Sequence, residues 1–355
     1  MSMHIEHLVE RNPRVSGQDL LAGFRPSERF GEVSFDTYRP DPSQPSQSEA
    51  VEKLKAFAAG VGGGQSSGNG FFSKLFGGGG AQKGSPAQGI YLDGGFGVGK
   101  THLLASLWHA VPGPKAFGTF VEYTNLVGAL TFRHTVEALK DYQLVCIDEF
   151  ELDDPGDTVL MSRLMRELAD AGVKLAATSN TLPGSLGEGR FAAQDFQREI
   201  QVLSSQFDVV RIDGEDYRHR GLPEAPQPLA DDAALDAAAQ QTFSGRTVGI
   251  DDFDALVEHL SRVHPSRYRA LIDGLDGIVW RGVRTIDQQA VALRFVVLAD
   301  RLYDKDLPIL STGVPFDQVF TEEMMAGGYQ KKYFRAVSRL TALAREGILG
   351  DVSAV

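Results

Sequence analysis

Cysteine is nearly absent. Cys146 stands alone among 355 residues, which excludes an internal disulfide and a cysteine-built metal cluster and suits a reducing compartment. Long apolar runs are missing too. No stretch approaches the roughly 18 to 20 apolar residues that a membrane span needs, and the opening MSMHIEHLVERNPRV holds no apolar centre of the signal-peptide kind. Positive charge is in deficit, with 35 Lys and Arg against 47 Asp and Glu, a net −12. Phosphate contacts supply most non-specific affinity for nucleic acid, so such a chain is a poor general binder of it, or of anionic membrane, unless it builds a local basic groove. These absences predict a soluble protein of the cytoplasm with no transmembrane segment. What is present is 42% hydrophobic residues, enough for a true core, in a length that suits one large domain or two ordinary ones.

The pattern changes several times along the chain. Residues 1–60 read as an N-terminal segment leading into the next domain, with an amphipathic helix over Ser48–Ala59 and serines before it as caps. Residues 61–88 are Gly/Ser-rich and read as a flexible insert. Within the insert, Phe71, Phe72, Leu75 and Phe76 are too apolar for a plain linker, and predict an anchor for a partner protein, or for a membrane surface, or else packing on the parent domain. Apolar strands alternate with helices over 89–221, which argues a parallel α/β sheet. A proline-led, then alanine-rich stretch over 222–244 reads as linker and helix, and 245–355 as a C-terminal α/β part. The two α/β parts echo each other: Val145 to Ala177 and Ile278 to Leu310 both span 32 positions. A degenerate repeat and two ordinary strand–helix–strand units of average size both fit.

Glycine is concentrated where the chemistry is. Gly94-Gly95-Phe96-Gly97-Val98-Gly99-Lys100-Thr101 matches GxxxxGK[ST], after the strand Ile90-Tyr91-Leu92 and before a helix with buried Leu103, Leu104 and Leu107. Several backbone N–H groups must meet one phosphate together, so the chain must curl without Cβ atoms in the way. The helix that starts near Lys100 turns its positive end to the same anion. Lys100 adds a charge for the β- and γ-phosphates and Thr101 a hydroxyl for Mg²⁺. The bland alternative is a glycine turn that binds nothing.

Leu144-Val145-Cys146-Ile147 is a strand buried on both faces, ending in Asp148-Glu149. Asp148 stands at the tip where α/β sheets bind ligands, placed to hold Mg²⁺. Glu149 is the candidate general base for the attacking water; the other reading is an acidic cap for the next helix. The adjacent Glu separates an ATP-hydrolysing sheet of the AAA+ and RecA-like type from most kinases and GTPases. Asn180 ends the strand from Val173 and can bond the water or the γ-phosphate, the sensor-one position of AAA+ ATPases, or else it serves the turn before Pro183. Arg190 and Arg198 are candidates for an arginine supplied to a neighbouring subunit's γ-phosphate, and Arg339 for a nucleotide contact from the C-terminal part. Arginines placed like Arg190 and Arg198 are more often surface salt-bridging residues.

Taken together these segments resemble the AFG-type AAA+ ATPases. GIYLDGGFGVGKTHLL is similar to that family's nucleotide loop, and CIDEFELDDPGDTVLMSRLMRELADAGVKLAATSN to its acid-to-asparagine stretch. Asp216-Tyr217-Arg218, RFVVLADRLYDKDLPILSTGVP and FRAVSRL look like further family segments, so that the resemblance runs from about Arg29 to Ala344. Two features depart from the pattern: RFAAQDFQREI replaces a usual Gln-Arg pair close to a phenylalanine, and the Gly/Ser insert is unlike the compact core. The resemblance implies a P-loop NTPase sheet of the AAA+/ASCE type with flanking helices and a C-terminal α/β extension. It implies an ATPase using ATP and Mg²⁺, a homo-oligomer with shared sites. Bacterial members are linked to the division ring and mitochondrial members to protein quality control. A protein client follows, with the division filament protein FtsZ as a candidate and recruitment to the division site or the inner membrane face. Two other readings stay open, a helicase-loader-like ATPase linked to nucleic acid and a nucleotide-switched scaffold. Acidity, and the lack of a basic stretch interleaved with aromatics, argue against the first.

Overall fold

The computed structural model describes residues 2–61, 89–95, 97–150, 155–181, 205, 207–214 and 224–349. The insert motif at 71–76 lies outside the described residues. So do Phe96, Arg190, Arg198 and Asp216-Tyr217-Arg218. In chain order the described strands are β1 (His4–Glu6), β2 (Gly89–Gly94), β3 (Lys115–Thr119), β4 (Leu144–Asp148), β5 (Lys174–Ser179), β6 (Phe207–Ile212), β7 (Thr247–Asp252), β8 (Gly277–Val283) and β9 (Ile309–Gly313). Two compact units result. One comprises residues 21–26 and 30–217, the other 1–20, 27–29 and 218–355.

The first unit is built on a parallel sheet in the order β3-β4-β5-β2-β6. Its inner strands are apolar at almost every position because both faces are covered. On one face Ile90, Leu92, Cys146 and Ala176 pack against Leu103, Leu104 and Leu107 of the helix Lys100–Ala110 and Ala50 and Leu54 of the helix Pro45–Gly60. The alternate positions Tyr91, Val145, Ile147 and Leu175 are buried as well, with Tyr91 edge-on to Phe150 and Phe207. The edge strand β6 instead exposes Asp208, Val209 and Arg211. The helix expected over Ser48–Ala59 starts earlier, at Pro45, whose missing N–H suits a first turn. The expected serine caps are not formed. Gln44 is the N-cap and makes no side-chain cap bond, while Ser46 Oγ accepts the Asp213 N–H at 2.9 Å.

The second unit carries a parallel sheet in the order β1-β7-β8-β9. Trp280 of β8 is fully buried among Phe253, Phe295 and Phe316, under the helices Phe253–Arg262 and Gln289–Asp304. Leu235, Ala239 and Phe243, from the helix Asp232–Thr242 and its C-cap, cover the alternate positions Val248, Ile250, Val279 and Leu310. Residues 1–60, read from sequence as one segment, are shared between the units: β1 joins β7, and Asp251 accepts the N–H groups of Leu8 and Val9 at 3.0 and 3.2 Å.

Candidate functional site

The strand order sets the site. β5 lies between β2, which leads into the glycine loop, and β4, which ends in Asp148. Asn180, one residue past β5, therefore stands between the loop and the acid. The loop has the shape its glycines predict. Gly97 and Gly99 take φ of 83° and 84°, the left-handed region that glycine adopts freely. Gly99 is the N-cap of the helix Lys100–Ala110, so the loop ends on free amide groups and a positive helix end.

Two side chains from upstream hold the loop and the helix that follows it. The Tyr38 hydroxyl donates to the Val98 carbonyl at 2.8 Å, and a Cβ on Gly99 would stand 2.6 Å from the Tyr38 ring. Thr37 Oγ1 lies 2.9 Å from His102 Nε2. Nothing in the local sequence pattern marks Tyr38, because its partners are about 60 positions away.

Lys100 draws loop and sensor together. Its ammonium donates to Gly94 O at 2.9 Å, Gly95 O at 2.5 Å and Asn180 Oδ1 at 2.9 Å. Beside it, Thr101 Oγ1 approaches Asp148 Oδ2 at 3.1 Å and Oδ1 at 3.3 Å. Asp148 is only 6% exposed. Burial first, and then the neighbouring Glu149 charge, push its carboxyl up to about 6, while hydrogen bonds from Thr178, Thr101 and the Glu149 backbone pull the other way. Burial likewise raises Asp93, at the tip of β2, against the opposing charges of Arg211 and Lys100.

Glu149 takes φ of 53°, a left-handed conformation that costs a non-glycine residue roughly 1–3 kcal/mol. Thr178 supports that turn. Its hydroxyl donates to Asp148 Oδ1 at 2.5 Å and accepts the Glu149 N–H at 3.0 Å, and its carbonyl accepts the Phe150 N–H at 2.7 Å. Nothing in the sequence pattern around Asn180 assigns Thr178 a role. The available signal was a hydroxyl two positions before a polar strand tip, beside a strand that ends in acid.

Thus the described candidates Gly94, Gly95, Gly97, Val98, Gly99, Lys100, Thr101, Asp148, Glu149 and Asn180 come together at one end of one sheet. Arg339 sits on the helix Gln330–Leu349 in the other unit. There its guanidinium donates to Asp300 Oδ1 at 2.5 Å and lies 5.1 Å from the centre of the Tyr303 ring. The donor set fits a magnesium nucleotide: amides, an ammonium and a helix start for phosphate, one hydroxyl and one buried carboxylate for a hard cation that takes its other oxygens from phosphate and water. Among the described residues no group of three or more His, Cys, Asp or Glu forms a protein-only metal cage.

Comparison with known proteins gives the family of the chain. The family model described as AFG1-like ATPase matches residues 16–247 and 230–352. The cell division protein ZapE of Escherichia coli K12 is 26% identical over 309 residues, covering 75% of this chain and 80% of its own. Lactation elevated protein 1 homolog B of Danio rerio is 24% identical over 302 residues, covering 70% of this chain and 60% of its own. Among solved structures, AMPPCP-bound DnaA of Aquifex aeolicus aligns with a TM-score of 0.38 at 13% identity, over 57% of this chain and 58% of that one. With the family model matched along nearly the whole chain, this protein belongs to the AFG1-like ATPases.

Proposed function

We propose that the protein hydrolyses ATP with Mg²⁺ and spends the cycle on remodelling or regulating a protein partner, as a homo-oligomer whose sites are completed by neighbours. The observation that carries this is the pair of contacts across three strands. Lys100 ties the phosphate loop to Asn180, and Thr101 meets the buried Asp148. One end of the site is built for an anion and the other for a hard cation.

In this reading the loop amides, Lys100 and the helix start bind the phosphates and fix the γ-phosphate in line for attack. Thr101 and Asp148 hold the metal. Mg²⁺, when bound, neutralises charge on the phosphate oxygens. Glu149 takes the proton of the attacking water, and Asn180 hydrogen-bonds that water or the γ-phosphate. Arg190 or Arg198 serves a neighbour's γ-phosphate.

The likeness to a relative named for cell division directs the partner search to the division machinery of the cytoplasm, with FtsZ as the first client to test. No described helix is long and apolar enough to cross a membrane. The test is the ATPase rate per subunit over a range of protein concentration, then with FtsZ or single-stranded DNA. A rate that climbs with concentration and responds to FtsZ supports the reading. A flat rate removes the shared site, and stimulation by DNA alone overturns the choice of partner class.

A further inference from the structure

We propose that Thr178 is the positioning residue of the acid turn, its one buried hydroxyl orienting the Asp148 carboxylate and holding Glu149 in the backbone conformation that aims the base. The inference rests on the reading of Asp148 as cation holder and Glu149 as base, and adds the group that makes the two act together.

The argument begins where the sheet stops. The β4–β5 ladder runs to Ile147 opposite Ala177, so that Asp148 and Thr178 are the first residues past that ladder, each still paired on its other side, with Thr119 and Leu92. One residue on, β4 leaves the sheet, and Glu149 turns left-handed. A backbone N–H at such a turn has lost its ladder carbonyl and needs another acceptor. Thr178 Oγ1 is that acceptor, at 3.0 Å. A hydroxyl has one proton to give, and this one goes to Asp148 Oδ1 at 2.5 Å. The Thr178 carbonyl then takes the Phe150 N–H, fixing the far side of the turn.

The hydroxyl is held in turn. Thr178 is 2% exposed in a packed strand, and a β-branched side chain there has little choice of rotamer. The consequence for Asp148 is directional. One oxygen is engaged by Thr178, while Oδ2 is the nearer to Thr101, the other residue assigned to the cation. Asn180 is two positions along the same strand end and meets Lys100. The β5 tip therefore sets both the phosphate side and the acid side of the site.

The test compares Thr178→Val, which keeps the shape and removes the hydroxyl, with Thr178→Ser, which keeps the hydroxyl. Four quantities are read: kcat for ATP hydrolysis, affinity for a non-hydrolysable ATP analogue, Mn²⁺ affinity in the presence of that analogue, and hydrogen exchange at the Glu149 amide in the nucleotide-free protein. The valine variant is expected to lose about tenfold or more in kcat, with analogue affinity within about threefold of wild type. It should also weaken Mn²⁺ binding several-fold and speed exchange at Glu149, and serine should restore most of each. Unchanged Mn²⁺ affinity and exchange in the valine variant overturn the inference. So does a failure of serine to restore them, or a loss that follows melting temperature alone. A wild-type protein that binds Mn²⁺ and analogue but does not turn over would instead sink the hydrolysis reading, and the metal and exchange arms would still decide the role of Thr178.

Discussion

At the tips of β2, β4 and β5 stand Asp93, Asp148 and Asn180; at those of β7, β8 and β9 stand Asp251 with Asp252, Arg281 and Thr312. The sheets are alike in direction and crossover length, and both end in polar groups. They differ in what those groups do. Asp251 accepts two N–H groups of the N-terminal segment, and Asp252 caps the helix Phe253–Arg262. Arg281 donates to Asp236 at 2.6 Å, and Thr312 accepts the Gly282 N–H. In the second unit the polar tips tie the fold to itself. In the first they converge on one another around a glycine loop.

Two aspartates, Asp148 buried and Asp300 partly buried, make the contrast electrostatic. Burial pushes the Asp300 carboxyl up, but the guanidiniums of Arg335, Arg339 and Arg301 outweigh it and hold the group below the usual carboxylate range. Asp148 is raised, by burial and by Glu149, and its partners are two hydroxyls and a backbone amide. A carboxylate that carries its own cations is structural. One buried with hydroxyls and an amide but no cation is set up for a cation from outside.

The comparison can be broken most severely at Lys100. Lys100→Ala should cost about 100-fold or more in ATP hydrolysis, with loss of nucleotide binding by calorimetry. Glu149→Gln should lower turnover by about 100-fold or more while nucleotide binding persists; normal turnover in that variant would remove the general-base assignment.

Acid titration sharpens the contrast. A carboxyl raised to about 6 when folded and ordinary when unfolded binds its proton more tightly in the folded state. The nucleotide-free protein should thus gain from Asp148 as pH falls from 7 toward 4, on the order of 1–3 kcal/mol. Urea melts of wild type against Asp148→Asn isolate that slope. Asp300, held low, has the opposite sign: its contribution is present at neutral pH and is lost only in acid below the ordinary carboxylate range.

Smaller effects belong to the second sheet. Asp252→Ala should cost about 1 kcal/mol in a denaturant melt, the usual loss for a helix cap, and leave kcat unchanged. Calorimetry should find one nucleotide per chain, since within Trp280-Arg281-Gly282 the pair Arg281-Gly282 occupies the position of Asp148-Glu149 in the echoed unit; a value near two would contradict the division of labour between the sheets.

The loop, the acid pair and the asparagine were legible because their chemistry is carried by neighbours in the chain. Four glycines before Lys-Thr and four apolar residues before Asp-Glu are local statements about a curled backbone and a buried strand. Tyr38, Thr178 and β1 were not legible in the same way. Tyr38 acts on a carbonyl about 60 positions on, and the role of Thr178 appears only once β4 and β5 are in register. β1 has three residues, too few for a periodic signal, and pairs with a strand about 240 positions away. The helix Pro45–Gly60 was found but its start was not, since serine at a helix start competes with other acceptor roles, here for Asp213.

The Tyr38 ring against Gly99 also restricts which sequences this fold can tolerate. Position 99 is closed to a side chain twice over, by its φ of 84° and by an aromatic wall 2.6 Å from where a Cβ would be. Phenylalanine at 38 would keep the wall and release only the Val98 carbonyl. A small residue there would remove the wall and still leave the φ requirement in force. The two positions therefore inherit each other in one direction only: the tyrosine depends on the glycine, and the glycine would outlast the tyrosine.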